Sequence, residues 1–221
     1  LDVLRGFALL GILLMNIQSF SMPGSAYLNP FSYGDMQGAN YWVWAISHVF
    51  ADQKFMSIFS MLFGVGVLVF TERLEHKGVK PAGLHYRRTF WLLVFGLMHG
   101  YLFWMGDILF SYAMCGFFVF LFRNKSANGL LAIATVLILI SFALNLFTGF
   151  SIPYMPADAI KDMSKSWAPE TAFQQAEIAA YTGGFLSALK QRAGDTFFMQ
   201  TYVFLTMFFW RASGMMLIGM A

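Results

Sequence analysis

Six long apolar runs constrain the fold of this chain more than any other feature of the sequence. They cover about residues 4–20, 55–71, 89–104, 108–122, 129–148 and 196–221. A helix needs ~20 mostly apolar residues to cross a bilayer, with about 17 as the usual minimum. Strands of membrane barrels alternate apolar and polar residues, whereas these runs are apolar on all sides. The sequence therefore predicts an all-α, polytopic transmembrane helix bundle with about six spans.

Charged residues are too rare for a soluble protein. They make up 11% of the 221 residues, against about 25% in soluble domains, and mean hydropathy is +0.62. This composition excludes a soluble enzyme, a disordered tail and a fibrous protein. The net charge of +3 fits basic cytoplasmic loops better than nucleic acid, for which we find no motif. The lipid bilayer is the predicted partner.

The distribution of Lys and Arg predicts the orientation in the membrane. The connections 72–88 and 123–128 carry several basic residues, whereas 21–40 and 105–107 carry none. The positive-inside rule then places the N-terminus in the cytoplasm. Runs three and four are joined by only three residues, 105–107, which predicts a tight antiparallel hairpin.

The predicted outer segments differ in character. Residues 21–40 are rich in Gly, Pro, Ser and Asn and predict an irregular loop. The aromatic stretch 41–51 suits an interfacial helix before run two. The outer loop 149–195 is expected to contain a helix over about 170–191. We expect residues 1–221 to form one membrane domain, truncated at its start and at its C-terminal end.

Run one carries three polar residues on one helix face. Asp2 and Arg5 stand three residues apart and can pair. Asn16 follows Arg5 by eleven residues, which is about three full turns and about 16 Å along a helix. The face can serve as a helix-start ion pair plus an interhelical amide, or as a polar column through the membrane.

Four further polar residues are candidates because of where they fall relative to the runs. His48 lies on the outer side just before run two, where an imidazole can act as a general base or as a passive headgroup-level residue. His99 lies inside run three, and Asp107 can cap run four and accept from a buried His. Arg211, inside run six, is expected to have an acidic or substrate partner.

The remaining reactive and small residues predict structural roles. Four His and the single Cys115 predict no metal site and no disulfide, and His76 and His85 are expected in solvent. Small residues allow close packing of helices in membranes, which is the predicted role of four glycines. These glycines are Gly64, Gly66, Gly96 and Gly100.

Three blocks of sequence together resemble one family of bacterial membrane proteins. The blocks are LDVLRGFALLGILLMNI in run one, KFMSIFSMLFGVG in run two and RRTFWLLVFGLMHGYLFWMGDILFSYAMCGFF through runs three and four. In this order they look like the YeiB-type family, over residues 1–123 above all. That family is distantly similar to the transmembrane acyltransferases, which include heparan-α-glucosaminide N-acetyltransferase.

The resemblance implies an acyl transfer across the membrane. By similarity to the glucosaminide enzyme, Asn16 and His48 become the catalytic candidates, with acyl-CoA as co-substrate and an extracytoplasmic glycan or small molecule as acceptor. The basic residues expected to bind the phosphates of acyl-CoA are Arg5, Arg73, Arg87 and Arg88. The alternatives are a transporter or channel for a small anion, lined by His99, Asp107 and Arg211, and a non-catalytic assembly protein. The oligomeric state stays open.

Overall fold

The computed structural model describes all residues from 1 to 221, and every regular element in it is helical. The α-helices are α1 (Asp2–Ser21), α2 (Gly24–Leu28), α3 (Gly38–Phe50), α4 (Lys54–Glu75), α5 (Pro81–Leu102), α6 (Leu109–Val119), α7 (Ala127–Ser151), α8 (Ala157–Trp167), α9 (Thr171–Thr182), α10 (Phe185–Phe198) and α11 (Phe209–Met220). Short 3-10 segments, Phe120–Phe122 and Ile152–Tyr154, follow α6 and α7. A π-helical segment, Met199–Phe208, joins α10 to α11. The predicted all-α class is confirmed.

Four helical stretches are long and apolar enough to cross a membrane, which fits a membrane protein. They are Asp2–Ser21, Gly38–Glu75, Ala127–Tyr154 and Phe185–Met220. They contain runs one, two, five and six, so the prediction of six spans is not confirmed.

Runs three and four form helices that fall short of the requirement for a span. The first turns of α5 carry His85, Arg87 and Arg88, which interrupt its apolar length. The apolar helix Leu109–Phe122 reaches about 21 Å at 1.5 Å per residue, against a hydrocarbon core of about 30 Å. A segment of this length is typical of a buried core helix.

The chain folds into two compact units. The first unit comprises residues 1–5, 57–146 and 192–221, and the second comprises residues 6–56 and 147–191. The single membrane domain expected from the sequence stays a prediction.

In the first unit, α6 forms the core. Ala113, Cys115 and Val119 have no exposed surface. The predicted hairpin with α5 is present, because a Cβ on Gly96 would lie 2.2 Å from the backbone nitrogen of Phe110. Only a glycine in α5 lets the two backbones approach this closely.

Helices α4 and α11 of the first unit also meet backbone to backbone. A Cβ on Gly64 would lie 1.9 Å from the carbonyl oxygen of Met216, and a Cβ on Gly219 would lie 2.0 Å from that of Met61. The predicted packing role of Gly64 is therefore confirmed, and Gly219 supplies the reciprocal contact.

In the second unit, side-chain hydrogen bonds tie the 21–40 segment to the 149–195 segment. The Gly24 N–H donates to Glu177 (2.9 Å), the Asn29 amide to the carbonyl of Trp167 (3.0 Å), and the Gln174 amide to the carbonyl of Ser32 (2.7 Å). The predicted irregular 21–40 loop is confirmed in part, because the five-residue helix α2 lies within it and α3 already begins at Gly38.

Three helices test the predictions for the outer segments. Helix α3 confirms a helix over the aromatic stretch 41–51. The single helix expected over about 170–191 is wrong, because α9 ends at Thr182 and α10 begins at Phe185. Gly184 lies between them with φ +100°, a conformation that breaks a right-handed helix and favours glycine.

Replacing Gly64 with alanine is expected to lower the free energy of unfolding by about 1–3 kcal/mol, because its Cβ has no space beside Met216. The matched control is Gly83→Ala in α5, where nothing lies within 4 Å of an added Cβ. Thermal unfolding of the full-length protein in detergent measures both variants. Equal melting temperatures for the two would contradict the close approach of α4 and α11.

Candidate functional site

Arg5 contacts both its own helix α1 and the neighbouring α4 in the first unit. Its Nη1 donates to Asp2 Oδ1 (3.1 Å), which confirms the predicted pair, and its Nη2 donates to the carbonyl of Leu62 (3.3 Å). A Cβ on Gly66 would come within 2.5 Å of Nη2. Gly66 therefore makes room for a guanidinium rather than for another helix backbone, which differs from the packing role predicted for it.

A cavity of about 300 Å³ opens beside Arg5 in the first unit. Its polar lining comes from Arg5, His85, Arg88 and Thr89, and its apolar walls come from Phe59, Phe63, Val67, Phe70 and Leu92. Two guanidinium groups in a mainly aromatic cavity can bind an anion that carries an apolar portion.

His85 lies buried at this cavity, so its predicted place in solvent is wrong. Its Nε2–H donates to the carbonyl of Gly116 (3.1 Å), and its ring stacks on Phe120 with centroids 4.1 Å apart. Burial lowers the pKa of His85; the bond to Gly116 opposes the shift, and the charges of Arg88 and Arg123 add to it. The imidazole is therefore neutral near pH 7, and the positive charge of the cavity comes from the arginines.

The four predicted phosphate-binding arginines do not all lie at one site. Arg5 and Arg88 line the same cavity, and the Arg88 guanidinium lies 4.2 Å from the centroid of the Phe70 ring. Arg87 lines only an adjoining surface groove, which it shares with Arg88. Arg73 is exposed in the last turn of α4 and lines neither.

His48 lies on α3 in the second unit, and one of its ring nitrogens is already hydrogen-bonded. Its Nδ1–H donates to the carbonyl of Trp44 (2.9 Å), and the Trp44 ring lies 4.5 Å away, centroid to centroid. Because a carbonyl can only accept, the neutral imidazole keeps the lone pair on Nε2. This is the tautomer that a general base requires.

Asn16 lies half-buried on α1 in the second unit. Its side-chain amide makes no hydrogen bond within the protein, and no hydrogen bond joins it to His48. The amide thus keeps its N–H donors available for a ligand.

The predicted pairing at the start of run four is confirmed in the first unit. His99 Nδ1–H donates to Asp107 Oδ1 (2.9 Å), and the Phe110 N–H at the start of α6 donates to Asp107 Oδ2 (2.8 Å). The Asp107 side chain has no exposed surface, whereas 41% of the His99 side chain is exposed.

The neighbourhood of this pair contains contacts that the sequence did not reveal. The carbonyls of Gly100 and Leu102 at the end of α5 accept hydrogen bonds from Thr196 and Arg192. Arg211 is half-buried on α11 of the same unit, and its predicted acidic or substrate partner stays a prediction. Tertiary contacts with a distant part of the chain leave no local pattern, so no motif could have found Thr196 or Arg192.

The all-helical fold and four stretches long and apolar enough to cross a membrane fit a helical membrane protein. It is similar to the uncharacterized protein YxaH of Bacillus subtilis, with 34% identity over 207 residues, which cover 88% of this chain and 48% of YxaH. It is also similar to the uncharacterized protein YeiB of Escherichia coli, with 32% identity over the whole chain and 54% of YeiB.

These relatives support the YeiB-type resemblance seen in the sequence. The chain spans about half the length of the curated relatives it matches. No protein-family profile matches the chain, and no solved structure matches it.

Lowering the pH below 6.5 is expected to destabilise the protein through His85. The ordinary pKa of 6.5 applies to the unfolded chain, while the folded pKa is lower, so only the unfolded state takes up the proton. This contribution to stability is complete above pH 6.5 and is lost as the pH falls toward the folded pKa.

Thermal unfolding of His85→Gln between pH 6.5 and about pH 5 should show a weaker dependence on pH than the parent protein. The control is His76→Gln, since His76 is exposed in the turn after α4. An unchanged pH dependence in His85→Gln would contradict the burial of a neutral imidazole.

Proposed function

We propose that this protein is a transmembrane acyltransferase that moves an acyl group from cytoplasmic acyl-CoA to an extracytoplasmic acceptor. The observation that carries the proposal is the cavity that Arg5 and Arg88 line together in the first unit. A glycan or another small molecule with a hydroxyl or amine is the proposed acceptor. The proposed location is the bacterial cytoplasmic membrane, with the N-terminus inside.

The cavity suits the phosphate-bearing end of acyl-CoA. Guanidinium groups bind phosphate oxygens through paired N–H donors and stay charged at all relevant pH values. Leu62 and Asp2 orient Arg5, and the aromatic face of Phe70 lies under Arg88. The cavity can therefore bind an anion without first reorganising its cations.

His48 and Asn16 supply the chemistry that the acceptor needs. Nε2 of His48 takes the proton from the acceptor hydroxyl or amine, whose oxygen or nitrogen then attacks the thioester carbonyl. The new C–O or C–N bond forms, the C–S bond breaks, and CoA leaves and takes up a proton. An Asn16 N–H donates to the oxyanion that develops on the carbonyl.

Binding of acetyl-CoA tests the proposed cavity. Acetyl-CoA should raise the melting temperature of the full-length protein, and Arg88→Gln should weaken its binding about ten-fold or more, because a charged hydrogen bond is lost. The control is Arg73→Gln, which removes the same charge from a position outside the cavity. An equal loss of acetyl-CoA affinity in Arg88→Gln and Arg73→Gln would indicate nonspecific charge attraction and contradict the proposed binding cavity.

Acyl transfer tests His48 in proteoliposomes that contain acetyl-CoA on the cytoplasmic side and glucosamine on the other. His48→Gln should lower the release of CoA thiol about 100-fold or more and leave acetyl-CoA binding unchanged. Ala45→Gln on the same helix is the control. Full activity in His48→Gln would refute its role as the base.

The alternative of an anion transporter gives a different result in the same vesicles. The two arginines would then bind a small anion in transit, and the anion would cross the membrane without release of CoA thiol. Flux of phosphate without any thiol release would overturn the acyltransferase proposal and favour the transporter.

A further inference from the structure

One face of α5 connects the arginine cavity to the His99–Asp107 pair. Arg88, Leu92, Phe95 and His99 follow one another at spacings of four, three and four residues, which places them on one side of a helix. Eleven residues separate Arg88 from His99, or about three turns and about 16 Å along the axis. All four residues belong to the first unit.

Two depressions of the surface share Arg88 and Leu92 on this face. The arginine cavity includes both residues, and the adjoining groove extends from them to Phe95, one turn before His99. We call this face, from Arg88 to His99, the α5 track. It is cationic at one end, apolar in the middle and carries an imidazole at the other end.

The His99 imidazole at the end of the α5 track can take part in proton transfer as well as in the structure. Capping of α6 uses only Oδ2 of Asp107, and the bond to His99 uses Oδ1. Because the carboxylate holds Nδ1–H, the opposite edge of the ring, with Nε2, remains available and the side chain is 41% exposed. A carboxylate that orients a histidine in this way is a recurrent arrangement in acid–base catalysis.

The shape of this track matches a ligand with phosphates at one end and a thioester at the other. In acyl-CoA the two ends are joined by an extended, largely uncharged pantetheine arm. The phosphates would occupy the cavity of Arg5 and Arg88, the arm would lie over Leu92 and Phe95, and the thioester would reach His99.

We propose that the α5 track is the binding path of acyl-CoA and that His99, oriented by Asp107, is the acid that protonates its departing thiolate. This inference rests on the proposed acyl transfer and adds the orientation of the co-substrate and a further residue. As the C–S bond breaks, Nε2–H of the imidazolium gives its proton to the sulfur, and CoA leaves as a thiol. The exposed ring then regains a proton from solvent.

Disulfide exchange locates the thiol end of the ligand without any catalysis. His99→Cys in the full-length protein, on a background lacking other exposed cysteines, is incubated with CoA disulfide, and the mixed disulfide is measured by mass. The control is Met98→Cys, which is exposed but about 100° away around the helix. Cys115 is fully buried and does not compete.

We expect His99→Cys to react at least ten-fold faster than Met98→Cys, and we expect Arg88→Gln to remove this advantage. Equal rates for the two cysteine variants, or a rate that is indifferent to Arg88→Gln, would overturn the α5 track. Cystine, which lacks phosphates, should react with both variants at similar rates.

The role of His99 as an acid is tested by kinetics. His99→Gln should lower the rate of CoA release about ten-fold or more and flatten its dependence on pH, while acetyl-CoA affinity stays unchanged. A loss of affinity or stability alone would indicate a structural role and overturn the assignment. If the parent protein neither binds nor consumes acetyl-CoA, the proposed function fails together with this inference. If the parent is active and the His99 variants behave like the parent or like their controls, this inference fails alone.

Discussion

Burying a polar group among apolar side chains is costly unless the group finds a hydrogen-bond partner inside the protein, and the polar core of the first unit depends on that constraint. An unpaired buried donor or acceptor costs about 1–3 kcal/mol, and 58% of the residues are hydrophobic. Asp107 satisfies the constraint with an imidazole and a backbone N–H. Thr196 satisfies it with a carbonyl at the end of α5. These contacts fix where the polar residues of the first unit lie.

Glycine allows the close approaches that make such contacts possible. At Gly64, Gly96 and Gly219 the missing side chain brings two backbones together. At Gly66 the same absence accommodates the guanidinium of Arg5. One residue type thus supports both the packing of the helices and the seating of a charge at the candidate site, and the residue across the interface decides which role applies.

Three histidines illustrate how surroundings set chemical capacity. His85 is buried, bonded through Nε2 and held neutral, so it contributes to packing rather than to charge. His48 and His99 are both held at Nδ1, the first by a carbonyl and the second by a buried carboxylate. In both cases Nε2 is the nitrogen left for a substrate, which is why the two proposals assign them proton transfer.

The sequence by itself determined the helical class, the apolar runs, the Asp2–Arg5 pair and the Asp107 cap, because each depends on periodicity or on neighbours within one or two turns. Tertiary structure decided that α6 is a core helix, that His85 is buried, and that Arg5 and Arg88 share a cavity while Arg73 does not. These features depend on which helices meet, and the meeting of distant segments depends on the packing of whole faces. A linear pattern of hydropathy contains no record of that packing.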